Sequence, residues 1–153
     1  MQLASTLRPR IFFNSMKDRS STISVAVVDD SKEDFFLVKN LLEESNLRLA
    51  SIEHYFGLND ILAECGNSPD VVILDRCLPD CGLSEPRIRE IRAKHDNCGV
   101  ILHTSMLTPS LRSTAAHEGA IAVIEKGALD AKAIGSLVSA AAEIGPKLHL
   151  NQI

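Results

Sequence analysis

Residues 71–82 read Val-Val-Ile-Leu-Asp-Arg-Cys-Leu-Pro-Asp-Cys-Gly, and this stretch decides the predicted fold. Its four consecutive apolar residues, three of them β-branched, predict a short strand that is buried on both faces. The strand ends at Asp75, and Pro79, Asp80 and Gly82 then predict a loop. A strand buried on both faces is typical of a parallel sheet that helices cover on either side.

The same alternation of strand and helix extends in both directions from this stretch. Further apolar runs predict strands over residues 23–28, 49–52, 100–103 and 120–124. Apolar residues at helical spacing predict helices over residues 31–46, 58–62, 87–92, 111–118 and 134–141. Five strands that alternate with five helices predict an α/β fold with a doubly wound, five-stranded parallel sheet.

Three local signals refine the predicted helices. Ser31 and Asp34 have the spacing of a capping box, and Gly119 is a predicted left-handed cap at the end of its helix. Ile88 and Ile91 stand among charged neighbours that include Arg92, so we predict that their helix is largely solvated.

Polar residues follow the predicted strands at their carboxyl ends. Asp29 and Asp30 follow the first strand, Asp75 ends the third, Thr104 follows the fourth and Lys126 follows the fifth. In an open parallel sheet, ligands bind beyond these strand ends. Three carboxylates in one small pocket repel each other unless a cation joins them, and an all-oxygen cluster suits Mg²⁺. A nearby lysine and hydroxyl suit a phosphoryl group.

Each of these residues also has a purely structural interpretation. Asp29 and Asp30 could cap the first helix, Asp75 could form a turn, and Lys126 could be an ordinary surface lysine. Their joint placement at the strand ends favours the functional interpretation.

Four strings together resemble the response-regulator receiver family. They are Val-Val-Asp29-Asp30-Ser, Val-Ile-Leu-Asp75-Arg-Cys-Leu-Pro-Asp-Cys-Gly, His-Thr104-Ser and Gly-Ala-Ile-Ala-Val-Ile-Glu-Lys126. The separations of 45, 29 and 22 residues between Asp30, Asp75, Thr104 and Lys126 are also close to those of the family. The resemblance covers about residues 22–145.

The resemblance implies a phosphoacceptor role for Asp75, which would take a phosphoryl group from a histidine kinase or a histidine phosphotransfer protein. It implies that Lys126 holds a phosphoryl oxygen and that Thr104 closes on the phosphoryl group. An aspartate is a weak nucleophile, so such chemistry needs charge neutralisation and in-line positioning.

The resemblance also implies the fold and the metal. The fold would be the (βα)5 flavodoxin-like receiver fold. Mg²⁺ would be bound by the carboxylates of Asp29, Asp30 and Asp75 and by the backbone carbonyl of Cys77.

Three features depart from the family pattern. Val123 stands where the family usually has Tyr or Phe, which puts the usual coupling to Thr104 in doubt. Gly127 replaces the usual Pro after the lysine, which loosens the turn and removes a site for a cis peptide bond. Cys77 and Met106 occupy variable positions where polar residues would orient an attacking water, so we predict slow self-dephosphorylation.

The distribution of charge predicts the domain organisation. Residues 1–22 carry four basic residues and one acidic residue, whereas residues 23–153 carry 12 basic and 19 acidic residues. We predict a basic arm over residues 1–21, a receiver domain over 22–145 and a short tail over 146–153.

Only seven residues follow Pro146, so the expected output is protein–protein contact, phosphoryl relay or dimerisation. Leu3, Leu7 and Ile11 repeat at helical spacing in the arm. The arm could therefore pack on its own domain or support a homodimer.

Composition excludes several classes of protein. The net charge is −4 and the 153 residues include only six aromatic ones, which argues against nucleic-acid binding. The chain has no apolar run near the roughly 20 residues that a membrane span needs. Its four cysteines lack metal-site spacing, and we predict reduced thiols in a cytoplasmic protein.

The sequence leaves two alternative functions open. A haloacid-dehalogenase-like phosphohydrolase also uses Mg²⁺ and a strand-end aspartyl phosphate, but it needs a second aspartate two residues later, where this chain has Cys77. A non-phosphorylated adaptor would keep the fold without the chemistry. We expect a phosphoacceptor that acts on a downstream protein target and is not itself an enzyme.

Overall fold

A computed structural model of the chain describes residues 22–66 and 68–149, so the predicted arm lies outside the described residues. Five strands form its main sheet: β1 (Ile23–Val28), β2 (Leu49–Tyr55), β3 (Val71–Asp75), β4 (Gly99–Thr104) and β5 (Ala122–Glu125). Five α-helices alternate with them: α1 (Lys32–Glu44), α2 (Leu58–Ala63), α3 (Ile88–Lys94), α4 (Pro109–Glu118) and α5 (Ala131–Ile144). The strand order is β2–β1–β3–β4–β5 and all pairs are parallel, which confirms the predicted fold.

Both faces of this sheet are buried, as the continuous apolar strands require. Side chains alternate along a strand, so Ala26 and Val28 face α2, α3 and α4, whereas Val25 and Val27 face α1 and α5. All five residues of β3 are buried. Within the described residues, no helix combines the length and the apolar composition that a membrane span requires.

Several elements end one to three residues away from the predicted bounds, as β2 does at Tyr55, and two of these differences have a clear local cause. Helix α1 ends before Ser45 and not at Asn46, because the Ser45 amide and hydroxyl close the last turn on the carbonyl of Leu42 (3.2 and 2.5 Å). Strand β5 begins after Ala120, whose amide still donates to the preceding helix α4. Gly119 adopts the predicted left-handed conformation, with φ 107°.

The prediction of a largely solvated α3 was wrong for Arg92. This side chain is buried, and its guanidinium donates to the carbonyls of Cys98 (3.4 Å), Gly145 (2.7 Å) and Leu148 (2.9 Å). Two of these carbonyls, of Gly145 and Leu148, lie just after the end of α5, so Arg92 ties α3 to the segment in which α5 ends. Burial lowers the pKa of Arg92.

The loop after β3 contains a short hairpin that the sequence did not predict. Cys77–Leu78 pairs antiparallel with Gly82–Leu83. At its tip, the Asp80 carboxylate accepts from the first two backbone amides of α2 (3.1 and 2.8 Å). A Cβ atom at Gly57 would lie 2.7 Å from that carboxylate, so the glycine makes room for the cap. This contact ties the hairpin to α2.

Gly99 marks a close approach between β4 and α5. A Cβ atom there would overlap the backbone carbonyl of Ala141. We expect Gly99→Ala to lower the free energy of unfolding by about 1–3 kcal/mol, because backbone cannot move aside as a side chain can. Urea unfolding measures this loss. The matched control is Gly66→Ala, whose new Cβ would meet only the flexible Glu64 carboxylate; equal losses for both variants would contradict the packing argument.

Candidate active site

Three carboxylates meet at the carboxyl ends of β1 and β3. Val28 is level with Leu74 in the sheet, so Asp29 and Asp75 follow at the same height. Oxygen atoms of Asp29, Asp30 and Asp75 all lie within 4.8 Å of one another. The first and third are buried and Asp30 is exposed. These carboxylates lie at the ends of β1 and β3, between which the strand order of the sheet reverses, a usual place for a ligand site. All the donor atoms are oxygen, so the site fits Mg²⁺.

Lys126 places its ammonium group against the same carboxylates. Its Nζ atom lies 2.7 Å from Asp34, 3.0 Å from Asp29 and 3.4 Å from Asp75. Burial alone would lower the pKa of Lys126, but hydrogen bonds and charges from these acids outweigh burial and raise it. The lysine is therefore a permanent cation at this pocket. Its backbone amide also donates to the Thr104 carbonyl (2.7 Å), which joins the ends of β4 and β5.

Asp75 is the carboxylate whose ionisation the pocket perturbs most clearly. Burial and, after it, the charge of Asp29 raise its pKa from 3.8 to about 6, while Lys126 and a backbone hydrogen bond from Cys77 partly oppose this shift. Asp75 is thus ionised at neutral pH, although its surroundings disfavour the charged form. The Ser84 hydroxyl donates to the Asp75 carbonyl (2.6 Å) and fixes the backbone behind it.

Thr104 is buried at the end of β4, and its hydroxyl closes the turn that follows. The Oγ1 atom lies 3.2 Å from both the carbonyl and the amide of Met106. To donate to another acceptor, the hydroxyl would have to give up its hydrogen bond to the Met106 carbonyl.

The residues that depart from the family pattern have different surroundings in the structure. Val123 is buried in the core face that contacts α4. Gly127 has φ +82°, and the described residues contain no cis peptide bond. The side chain of Cys77 is exposed, and that of Met106 is 69% exposed. The carbonyl of Cys77 as a metal ligand remains a prediction.

Sequence analysis missed Asp34 as part of this pocket. The Ser31 hydroxyl does accept from the Asp34 amide (3.2 Å), as the capping spacing predicts. The Asp34 carboxylate, however, does not return to the helix start but binds Lys126. The capping pattern explained Asp34 locally, and no signal in the sequence connected it with a lysine 92 residues away.

Comparison with known proteins decides the family. The sequence profile of the response regulator receiver domain matches residues 25–138. The chain belongs to this family. Receiver domains accept phosphoryl groups in two-component signalling, bind Mg²⁺ at an acidic pocket and interact with histidine kinases or phosphotransfer proteins. The predicted family is therefore confirmed. No curated protein matches the chain.

Solved structures show the same fold at low sequence identity. The BeF3-activated DrrB receiver domain is 24% identical, with a TM-score of 0.66, over 80% of this chain and 98% of that one. A receiver domain of a putative LuxO repressor protein from Vibrio parahaemolyticus is 23% identical (TM-score 0.69; 81% and 92% covered). The chemotaxis protein CheY4 of Vibrio cholerae is 17% identical (TM-score 0.66; 79% and 99% covered). These receiver structures support the fold of the chain alone.

Proposed function

We propose that this chain is a single-domain response regulator that accepts a phosphoryl group on Asp75 and signals by protein–protein contact, relay or dimerisation. The observation that carries this proposal is the pocket itself, in which three carboxylates lie within 4.8 Å of one another and Lys126 lies 3.4 Å from Asp75. A perturbed carboxylate with a specific charge partner marks a candidate functional site, and the Lys126 ammonium can face the negative charge of a phosphoryl group on Asp75. The phosphoryl donor would be a histidine kinase or a histidine phosphotransfer protein.

In the proposed reaction, an Asp75 oxygen attacks the phosphorus of a phosphohistidine. The new O–P bond forms as the N–P bond breaks, and the imidazole leaves with the electron pair and takes up a proton from solvent. Lys126 shifts its ammonium from Asp34 toward the phosphoryl oxygens, which carry the negative charge. Thr104 then gives up its contacts with Met106 and donates to the same group.

The metal would be Mg²⁺, bound by Asp29, Asp30, Asp75 and the carbonyl of Cys77. When bound, Mg²⁺ neutralises charge at the attacked phosphoryl group. The carboxylates of the chain supply hard oxygen ligands, one of which comes from the exposed Asp30 and faces solvent. Asp75 is then both a ligand and the nucleophile.

Exposed apolar side chains on α1 and on the loops that follow β2 and β4 offer a surface for the donor. Phe36, Leu37 and Phe56 are exposed on α1 and on the loop after β2. Met106 is exposed after β4. Clustered exposed apolar side chains mark protein contacts. Leu37 lines one cavity with Lys126, and we place the phosphodonor on this side of the pocket.

Acetyl phosphate with MgCl₂ tests the proposed function. We expect a mass increase of one phosphoryl group per chain, which hydroxylamine removes and EDTA prevents. Catalytic release of phosphate from phosphate esters would instead support the hydrolase. The exposed thiol of Cys77 stands where that class needs its second aspartate. A chain that takes up no phosphoryl group would support the non-phosphorylated adaptor.

We predict a long-lived aspartyl phosphate, because neither Cys77 nor Met106 can orient a water molecule for in-line attack. Release of labelled phosphate from the purified chain should take minutes or longer. Cys77→Asn should shorten the lifetime by about tenfold, since an amide can hold the attacking water. Cys65→Asn, at an exposed cysteine outside this pocket, is the control and should leave the lifetime unchanged. Loss of the label within seconds from the wild-type chain would refute this prediction.

Domain boundaries and location complete the proposal. We propose that residues 22–145 form the receiver domain and that the protein is cytoplasmic, with its four cysteines free as thiols. A homodimer through residues 1–21 remains a prediction, and those residues lie outside the described part of the chain.

A further inference from the structure

The imidazole ring of His54 lies between two phenyl rings near the end of β2. It stacks almost parallel on Phe35, with 4.2 Å between ring centroids and an interplanar angle of 5°. Phe56 covers it from the other side at 4.2 Å and 35°. The Lys32 ammonium lies 6.0 Å from the centroid of Phe56, at the solvent side of the stack. The stack therefore fixes the plane of the imidazole.

The fixed ring binds the backbone of the acid pocket. His54 Nε2 lies 2.7 Å from the carbonyl oxygen of Asp29. A carbonyl oxygen only accepts, so Nε2 carries the hydrogen. The other polar groups of Asp29 are paired as well: its amide donates to Tyr55, and its carboxylate accepts from the Ser31 amide and from Lys126. Asp29 is 2% exposed, so water cannot replace a lost partner.

The bond to this carbonyl also bears on Asp30. The carbonyl of Asp29 and the amide of Asp30 belong to one planar peptide group. Whatever fixes the carbonyl oxygen therefore fixes the direction in which the chain continues to Asp30. The exposed Asp30 side chain has no comparable set of contacts of its own among the described hydrogen bonds.

We propose that His54 is a positioning residue that sets the relative orientation of Asp29 and Asp30 for a divalent cation. This inference rests on the proposed function, because it takes the two carboxylates as metal ligands. His54 touches neither the cation nor the phosphoryl group; it acts through the peptide group between the two acids. Groups that hold metal ligands in place typically contribute 10–100-fold to metal affinity.

The test is an NMR titration of the full chain with MgCl₂, followed through the backbone amides of residues 29–31. His54→Phe keeps an aromatic ring in the stack but removes the donor. We expect its Mg²⁺ dissociation constant to rise about tenfold. His54→Gln keeps a donor at the position of Nε2, and its dissociation constant should stay within about threefold of the wild-type value. His117→Phe, the same substitution at an exposed histidine of α4, is the control and should leave the dissociation constant unchanged.

A second readout separates positioning from general damage to the fold. With acetyl phosphate, His54→Phe should need about tenfold more Mg²⁺ for half-maximal labelling, yet reach nearly the wild-type rate when Mg²⁺ saturates.

A wild-type dissociation constant in His54→Phe would overturn the inference and leave the proposed function intact. A wild-type chain that binds Mg²⁺ but takes up no phosphoryl group would overturn the proposed function alone. If His54→Phe fails to fold, a tenfold weaker affinity in His54→Gln would overturn the inference.

Discussion

Asp75→Asn is expected to abolish the uptake of a hydroxylamine-labile phosphoryl group from acetyl phosphate and to stabilise the metal-free protein. The amide has the shape of the carboxylate but no anionic oxygen, so it cannot attack phosphorus. It also removes one of three negative charges that lie within 4.8 Å of one another. Intact-mass measurement reports the first effect, and urea unfolding in EDTA reports the second.

The pH dependence of the second effect follows from the pKa of Asp75. Its pKa rises from 3.8 to about 6 in the folded chain, so the folded state binds the proton more tightly than the unfolded state. Stability from this group is fully present below about pH 3.8 and is lost as the pH rises through about 6. We expect Asp75→Asn to raise the free energy of unfolding by about 1–2 kcal/mol at neutral pH. The gain should disappear in acidic buffer.

Asp80→Asn is the matched control for both effects. Asp80 belongs to the same loop, but its carboxylate caps α2 and takes no part in the acid cluster. Asparagine is also a good helix cap, so this variant should fold and take up the phosphoryl group normally. Labelling of Asp75→Asn at the wild-type level would show that another residue accepts the phosphoryl group.

Much of the fold was predictable because the strands are apolar along their whole length. A run such as Val71-Val72-Ile73-Leu74 is buried on both faces, which is typical of a parallel sheet with helices on either side. A parallel sheet brings the carboxyl ends of its strands to one edge. The meeting of Asp29, Asp75 and Lys126 therefore followed from strand boundaries alone, without any knowledge of distances.

The supporting contacts were not predictable, since they join residues far apart in the sequence through side chains with ordinary local explanations. Asp34 had the spacing of a cap, yet its carboxylate binds Lys126. Arg92 looked solvated among charged neighbours, but the end of α5 covers it. His54 lies in a weak edge strand, and only the fold brings Phe35 against its ring. Such partners depend on packing, which periodicity does not encode.

The second large effect is expected from Lys126→Met, which removes the cation from the pocket but keeps an unbranched side chain of similar length. Asp29, Asp34 and Asp75 all lie within 3.4 Å of the ammonium, and the first is almost fully buried. Removal of one partner from a buried ion pair lowers the free energy of unfolding by about 3–5 kcal/mol. Because Lys126 is partly exposed, we expect a decrease of about 2–3 kcal/mol in the metal-free protein. The phosphorylation rate should fall by about 100-fold or more, because no fixed cation then faces the developing charge.

The loss of stability should depend on pH with a definite sign. Lys126 lowers the pKa of Asp75, so without the ammonium this carboxylate protonates more readily and the variant recovers part of its stability as the pH falls. Urea unfolding in EDTA at neutral and at acidic pH measures this recovery. A loss of the same size at both pH values would contradict the electrostatic explanation and point to lost packing instead.

Two further substitutions isolate the role of Lys126. Lys132→Met removes an exposed lysine on α5 and should change neither stability nor labelling. In Asp34→Asn, the shortest contact of the Lys126 ammonium changes from a carboxylate to a neutral amide. Adding Asp34→Asn to Lys126→Met should restore part of the stability, because it removes one of the carboxylates left without a cation. It should not restore labelling, since the phosphoryl group would still lack its positive partner. Recovery of both properties in the double variant would mean that Lys126 serves only to neutralise the resting pocket.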